Sequence, residues 1–177
     1  MAAAVVMVEG ECDPWLMDEA VDLYETDLIR WAEDQARALR AAGDARVNLP
    51  IDWEHVAEEI ESLGRSQRTE LRSRLTTVIE HLLKLAYSPA SDPRDGWRST
   101  VRRERNNIEA LLDDNRSLVR EVPALIEWAT PRASDLVAMD LADRLEADEA
   151  TLNNLRARRF SEAEVLGNWF PEPPSQG

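Results

Sequence analysis

The chain has 177 residues, of which 44% are hydrophobic and 32% charged, and this composition is typical of a folded globular protein rather than a disordered one. Its single cysteine excludes a disulfide framework within one chain, and no apolar run approaches the roughly 20 residues that a membrane-spanning helix needs. The net charge of −14 disfavours binding to nucleic acid or to an anionic membrane.

The charge is distributed unevenly along the chain. Residues 1–64 carry 16 acidic and 4 basic side chains, residues 65–120 carry 8 acidic and 12 basic ones, and residues 121–177 carry 11 acidic and 5 basic ones. In one interpretation the basic middle packs beside the acidic ends, where exposed ion pairs contribute about 0–1 kcal/mol each. In the other, the middle keeps a basic face for an anionic partner.

The termini differ in pattern from the rest of the chain. We predict a flexible leader at residues 1–13, a helical-bundle domain at residues 14–171 and a disordered tail at residues 172–177. The apolar start has no Lys or Arg and is followed at once by acidic residues, unlike a secretory signal peptide. We therefore expect a cytoplasmic protein with no membrane partner.

Apolar residues at steps of three and four predict a first helix over about residues 14–42, which begins at Pro14 and is ended by Gly43. A loop is expected over residues 43–51. The second helix is predicted at about residues 53–63, with Asp52 as its N-cap.

Gly64 is expected to end or bend the second helix. Ile51 and Val56 have the spacing of a hydrophobic staple around its N-cap. The predicted buried stripe of this helix consists of Trp53, Val56, Ile60 and Leu63.

The third helix is predicted at about residues 67–87, with Ser66 as its cap. Its apolar positions follow steps of 4, 3, 4 and 3 and are the best candidates for the centre of the core. These positions are Leu71, Leu75, Val78, Leu82 and Leu85. The Pro- and Gly-containing segment at residues 88–96 is not expected to be regular helix throughout.

A fourth helix is predicted at about residues 97–113, with Glu104 and Arg105 at a charged step of its apolar stripe. Ser117 is positioned to cap a fifth helix at about residues 118–145. Pro131 should kink or split that helix near residue 130.

The C-terminal part is predicted to contain a short helix around residues 152–155 and another that ends near Asn168. Residues 161–164 (SEAE) form a capping box for the latter. The segment at residues 169–171 (WFP) is interpreted as an apolar clamp on the bundle. Taken together, the pattern predicts an all-α, single-domain helical bundle of about five main helices plus a short C-terminal helix, without a β-strand.

Several motifs resemble those of one bacterial family. They are LYETD at residues 23–27, WAEDQA at 31–36, VAEEIESLGRS at 56–66, HLLK at 81–84 and GWR at 96–98, followed by Arg105 and Ile108 at the usual spacing. The family is known as domain of unknown function twenty-nine. The resemblance covers about residues 20–145, and the ending at residues 160–171 is also similar. It implies a compact helical bundle and no known activity.

One polar cluster is a candidate site where the second, third and fourth predicted helices meet. A carboxylate beside a histidine can tune its pKa for acid–base chemistry, which favours a small enzyme or a ligand binder. The same groups can form a structural network that fixes helix register. The cluster consists of Glu58, Glu61, His81, Trp97 and Arg105.

Other chemistry has weaker support in the sequence. His55 and Glu58 share a helical face, but the Glu-x-x-His order of bundle metal sites is reversed and has no second copy. We predict no metal and no cofactor. Neither a nucleophile constellation nor a Gly-rich phosphate loop is visible, and Cys12 lies in the predicted leader.

Three functional hypotheses follow. The first is a protein-interaction module, such as an adaptor, a regulator or an accessory subunit, that binds a protein partner or itself. The second is an enzyme or ligand binder that uses the polar cluster. The third is a binder of an anionic partner, with nucleic acid disfavoured by the net charge. Its candidate residues are Arg65, Arg68, Arg72, Arg74, Arg98, Arg102, Arg103 and Arg105.

Overall fold

The computed structural model describes residues 23–45 and 49–174. A helical turn at residues 23–26 precedes the named elements. These are α1 (Leu28–Asp44), α2 (Trp53–Tyr87), α3 (Arg94–Asp113), a 3-10 helix (Arg116–Glu121), α4 (Val122–Asp143), α5 (Glu149–Ala157) and α6 (Glu162–Leu166). Within the described ranges there is no β-strand, only an isolated bridge between Asp27 and Asn115.

This architecture confirms the predicted all-α helical bundle with a short C-terminal helix. The predicted leader and the first part of the predicted first helix lie outside the described residues. The proposed boundary of the domain at residue 171 stays a prediction.

The longest element is α2, a single helix of 35 residues that spans about 50 Å at 1.5 Å per residue. Gly64 does not end a helix, so that alternative of the prediction was wrong, as was the prediction of a separate cap at Ser66. The Ser66 hydroxyl instead donates to the Ser62 carbonyl within the helix (2.9 Å). A glycine costs a helix about 1 kcal/mol, and packing against α1 outweighs that cost here.

Gly64 is buried against Ile29 of α1, and a Cβ added at Gly64 would lie 3.5 Å from Ile29 Cγ2. Gly43, near the end of α1, lies even closer to Trp53, because an added Cβ would be 2.9 Å from Trp53 Cβ. Small residues therefore allow α1 to pack close to the first half of α2.

The first half of α2 buries a different stripe from the predicted one. Ala57 and Gly64 are buried, whereas Val56 and Leu63 are exposed. Ile51 is exposed as well, so the two residues of the predicted staple do not form a buried contact. The N-cap was correctly predicted, since the Asp52 side chain accepts from the backbone N–H of His55 (3.3 Å).

The core lies between the second half of α2, α3 and α4. The predicted central stripe is confirmed, because Leu71, Leu75, Val78, Leu82 and Leu85 are all fully buried. On α4 it packs against an apolar stripe in which alanines occur beside larger side chains. This stripe includes Ile126, Ala129, Ala133, Val137, Ala138 and Leu141.

Pro131 lies inside α4 and does not split it, so of the two predicted outcomes, a kink or a split, the split is wrong. The ring is exposed, while the adjacent Thr130 is buried and donates through its hydroxyl to the Ile126 carbonyl (2.7 Å). The buried face of α4 continues on both sides of Pro131, which keeps the helix in place despite the missing backbone N–H.

Ser117 does not cap a helix through its side chain. Its backbone N–H and its hydroxyl both donate to the Asp27 carboxylate, at 2.8 and 2.9 Å. The same carboxylate accepts from the backbone N–H of Arg30 (3.1 Å), so Asp27 is at once the N-cap of α1 and a tie to the 3-10 helix. Asp27 is 7% exposed, and these three bonds satisfy it in its buried position.

The C-terminal segment follows the prediction closely. Helix α5 includes the residues predicted to be helical, 152–155, and extends beyond them at both ends. It is capped by Asp148, which accepts from the Thr151 N–H (2.8 Å). The capping box between Ser161 and Glu164 is present at the start of α6. Helix α6 ends at Leu166, two residues before the predicted end.

Candidate functional sites

The five side chains of the predicted polar cluster do not come together. Glu58 and His81 lie 23 residues apart on the continuous helix α2, which separates them by about 35 Å along its axis. The cluster depended on a break near Gly64 that would have folded the second and third predicted helices against each other.

Each member of the predicted cluster has its own surroundings. Glu61 binds Arg40 of α1 through two hydrogen bonds of 2.6 and 3.2 Å, and Arg40 lowers the pKa of the Glu61 carboxyl. A ring nitrogen of His81 lies 2.8 Å from the Thr77 carbonyl one turn earlier. Glu58 is exposed, and Trp97 is partly exposed in the first turn of α3.

Arg105 is the most deeply buried residue of the predicted set. It is 8% exposed and donates to three backbone carbonyls, those of Val165 (2.8 Å), Glu164 (2.7 Å) and Trp169 (2.9 Å). Burial lowers the pKa of Arg105, although an arginine stays protonated at neutral pH. Arg105 thus fastens the C-terminal segment to α3.

Four arginines follow one face of α3 at steps of 4, 4 and 3, and we call them the α3 arginine row: Arg94, Arg98, Arg102 and Arg105. None of them forms an ion pair within the described part of the chain. Arg94 donates to the carbonyls of Ser88 and Leu85, as Arg105 does to those of the C-terminal segment. Burial lowers the pKa of Arg94, and the nearby charge of Arg98 lowers it further.

The aromatic ring of Phe170 lies at the centre of this row. The guanidinium carbons of Arg98, Arg102 and Arg105 are 5.3, 5.5 and 5.0 Å from its centroid, which is the range of cation–π contacts. The predicted apolar clamp at residues 169–171 is therefore held by cations as well as by apolar packing.

A groove of about 910 Å³ extends from this point along α3. Arg102 and Arg105 line one end, and Glu109 and Asp113 line the other. Its apolar wall consists of Ile108, Leu112, Leu166 and Phe170. The groove has the size of a small-molecule site and is charged oppositely at its two ends.

Most of the other predicted basic residues are neutralised by acidic neighbours. Arg68 binds Glu33 and Glu121, which joins α2 to α1 and to the 3-10 helix (2.9 and 3.0 Å). Arg74 pairs with Glu70 and Glu104, Arg65 with Glu61, and Arg103 with Glu104. Arg72 lies over the Trp128 ring, 5.1 Å from its centroid. These pairs support the first interpretation of the uneven charge for α2.

A second distinctive surface lies on α4 and was not predicted. Leu136 and Met139 are 55% and 62% exposed, although α4 is otherwise a core helix. Arg132 and Asp143 lie on the same side, and at 100° per residue all four occupy an arc of about 60°. We call these four residues the α4 outer face. Its sequence signal is the apolar pair at residues 136 and 139, which does not fit the stripe around residues 129, 133 and 137.

The surroundings of His55 resemble a helix cap rather than a metal site. Its Nδ1 lies 2.6 Å from Asp52 Oδ2, and this contact raises the pKa of His55 and lowers that of Asp52. In residues 23–45 and 49–174, no three His, Cys, Asp or Glu side chains are arranged to hold a metal ion. No helix in these ranges has the length and apolar character to cross a membrane.

Together these features define an all-α bundle in which one long helix contacts α1, α3 and α4 and an arginine-anchored segment closes the C-terminal side. The chain belongs to the family described as "Domain of unknown function DUF29", which matches residues 23–152. The resemblance seen in the sequence motifs is thereby confirmed.

A known crystal structure also supports this fold. The chain is similar to an α-helical protein of unknown function from Rhodospirillum rubrum, whose crystal structure shares 26% sequence identity and a TM-score of 0.62. The similarity covers 84% of this chain and 98% of that one. No curated protein matches the chain. Neither the family nor this structure carries a stated function.

Proposed function

We propose that the protein is a helical-bundle interaction module that self-associates through the α4 outer face. The observation that carries the proposal is the exposure of Leu136 and Met139 on a helix that otherwise supplies the core. Exposed apolar residues that lie side by side on a helix mark interaction surfaces more often than isolated ones do. An adaptor or accessory subunit needs such a surface.

The order of residues on the α4 outer face favours a second copy of the chain as the partner. When two α4 helices pair antiparallel about a two-fold axis, residues equally far from the axis on opposite sides face each other. An axis midway between Leu136 and Met139 places each Leu136 against the Met139 of the other copy. The same axis also places Arg132 opposite Asp143, because both pairs share one midpoint in the sequence.

The charged pair is available for this contact. Asp143 is exposed and has no partner within the described ranges. Arg132 lies over the Trp128 ring and donates through Nη1 to the Trp128 carbonyl, which leaves its other N–H groups for an acceptor. A single helix pair buries less area than a permanent dimer needs, so we expect dissociation constants in the micromolar range.

Sedimentation equilibrium over a range of protein concentrations tests the proposal. We expect a reversible dimer that Met139→Asp abolishes while the monomer stays folded, since the side chain is exposed. The matched control is Leu145→Asp, which changes an apolar residue that is 91% exposed outside the α4 outer face and should leave the dimer intact. A monomer at every concentration would refute self-association.

A charge exchange tests the two-fold geometry itself. Arg132→Asp places two carboxylates opposite each other, and Asp143→Arg places two guanidinium groups together, so each variant alone should weaken the dimer. The double variant restores opposite charges and should recover it. Failure of the double variant to recover the dimer would contradict the antiparallel arrangement.

A further inference from the structure

We infer that Arg98 and Arg102, together with Phe170 and the adjoining groove, form a binding site for a small molecule that carries a phosphate monoester and an apolar body. The site lies on α3 and is separate from the α4 outer face, so it goes beyond the proposed function.

The first argument concerns the hydrogen bonds and ion pairs of the Arg98 and Arg102 guanidinium groups. Neither Arg98 nor Arg102 has a hydrogen-bond acceptor or an ion-pair partner in the described part of the chain, although acidic residues outnumber basic ones overall. By contrast, Arg103 on the adjacent position of the same helix pairs with Glu104 at 3.2 Å. Arg98 and Arg102 therefore keep all their N–H donors available.

The second argument is the concentration of positive charge. Three guanidinium carbons lie within 5.5 Å of the Phe170 centroid, and Arg94 continues the row one turn earlier. Arg105 contributes its charge but uses its hydrogen bonds on three carbonyls, which neutralise none of it. Like charges this close repel one another, and a bound anion would relieve that repulsion.

The chemistry of the groups favours a dianionic oxyanion. A guanidinium presents paired N–H donors that match two oxygens of a phosphate group, and two such forks can hold three oxygens. A carboxylate carries one charge and two oxygens, and so satisfies the pair of arginines less well.

The lining of the groove indicates which chemical group would fit beside the phosphate. Its apolar wall, formed by Ile108, Leu112 and Leu166 beside Phe170, is suited to an apolar or aromatic body next to the phosphate. Glu109 and Asp113 at the far end repel a second negative group, and the net charge of −14 disfavours polyanions at long range. A compact phosphate ester therefore fits better than a nucleic acid strand.

Isothermal titration calorimetry on the full chain tests the site. The probes are phenyl phosphate and inorganic phosphate, each at low ionic strength. We expect saturable binding of both, with phenyl phosphate bound more tightly because its ring contacts the apolar wall. Absence of saturable phosphate binding would overturn the proposal. Equal affinity for the two probes would overturn the assignment of the groove.

Variants locate the site. Arg102→Gln changes an exposed side chain and should weaken phenyl phosphate binding at least about tenfold, as expected for a lost charge-assisted bidentate contact. Arg103→Gln is the matched control and should bind within about twofold of the unaltered protein. Equal losses in these two variants would overturn the assignment to the α3 arginine row.

A gain of affinity excludes an effect of misfolding. Glu109→Gln removes an exposed negative charge from the groove and should strengthen phenyl phosphate binding about two- to threefold, with a smaller effect at high salt. Unchanged or weaker binding by Glu109→Gln would contradict the placement of the phosphate near this groove.

Discussion

The side chain of Arg105 holds the C-terminal segment of this bundle in place. Arg105 reaches from the middle of α3 to three carbonyls between Glu164 and Trp169, which lie about 60 residues further along the chain. A backbone segment with few helical hydrogen bonds of its own needs such donors, because buried carbonyls without a partner are costly. The hydrogen bonds from Arg105 thus satisfy carbonyls of this segment, as backbone N–H groups do within a helix.

We predict that Arg105→Ala lowers the free energy of unfolding by about 3 kcal/mol, because hydrogen bonds from a charged donor contribute about 1.5–3 kcal/mol and three carbonyls lose their partner. Arg105→Lys should restore only a minor part, since one ammonium group cannot reproduce the planar fork. Urea denaturation followed by circular dichroism measures the free energy of unfolding of both variants. Arg103→Ala, an exposed neighbour, should change stability by no more than about 0.5 kcal/mol.

Glu164 makes the stability of the same segment dependent on pH. Partial burial raises the pKa of its carboxyl, but hydrogen bonds from Ser161 and Arg158 outweigh this effect and lower the pKa below its ordinary value of 4.5. The stabilisation by Glu164 is therefore fully present above about pH 4.5 and is lost as the pH falls through the lowered pKa.

Urea denaturation at several pH values between 7 and 3 checks this prediction. Glu164→Gln should be less stable than the unaltered protein at neutral pH, and the difference should shrink below pH 4.5. The exposed Glu162 has no such partners in the part of the chain that the structure describes, and Glu162→Gln should show no comparable pH dependence. A constant difference across the whole range would contradict the role of the Glu164 charge.

At the scale of elements, apolar periodicity predicted most of the helices, and it failed where small residues form the contact. The stripe from Leu71 to Leu85 consists of large apolar residues and was predicted correctly. The first half of α2 packs through Ala57 and Gly64, two small residues with a weak hydrophobic signal. The sequence pattern therefore favours Val56 and Leu63 as the buried face. The polar cluster then failed for the same reason, because it required a break at Gly64.

Gly64 offers a sharp test of this packing. An added Cβ would be in ordinary contact with Ile29, and alanine is about 1 kcal/mol better than glycine in a helix interior. Gly64→Ala should therefore stabilise the protein by about 0.5–1 kcal/mol, whereas Gly64→Leu should destabilise it by about 1–3 kcal/mol through overpacking. Thermal denaturation distinguishes these outcomes, and a destabilising Gly64→Ala would contradict this packing of α1 on α2.

Gly167, at the end of α6, should respond in the opposite direction. An added Cβ there would overlap the Ala163 carbonyl oxygen, although the backbone dihedral φ of −77° is itself ordinary. Gly167→Ala should therefore lower the melting temperature, while Gly64→Ala raises it. The two glycines differ in what a Cβ would meet: an apolar side chain at Gly64 and a carbonyl oxygen at Gly167. This difference is visible only in the three-dimensional structure.

At the scale of the whole molecule, the binding surfaces could be predicted only in part. The α3 arginine row is visible in the sequence as a helical repeat of arginines. That none of its members has an acidic partner among residues 23–45 and 49–174 depends on which acidic residues fold next to it. Glu33, Glu104 and Glu121 neutralise the arginines of α2 instead. Exposure of Leu136 and Met139 likewise depends on how α4 is rotated about its axis, since apolar residues lie on more than one side of that helix.

The hydrogen bonds between Asp27 and Ser117 have a consequence for the order of folding. They close a loop of 90 residues, whereas α1 and α3 pack against α2, their nearest helical neighbour along the chain. Contacts between neighbouring helices form early, and a contact that closes a long loop is expected to form late, after the transition state. Asp27→Ala should therefore raise the unfolding rate and leave the folding rate nearly unchanged in stopped-flow experiments. In kinetic terms, the tie determines how long the folded bundle lasts and has little influence on how quickly it forms.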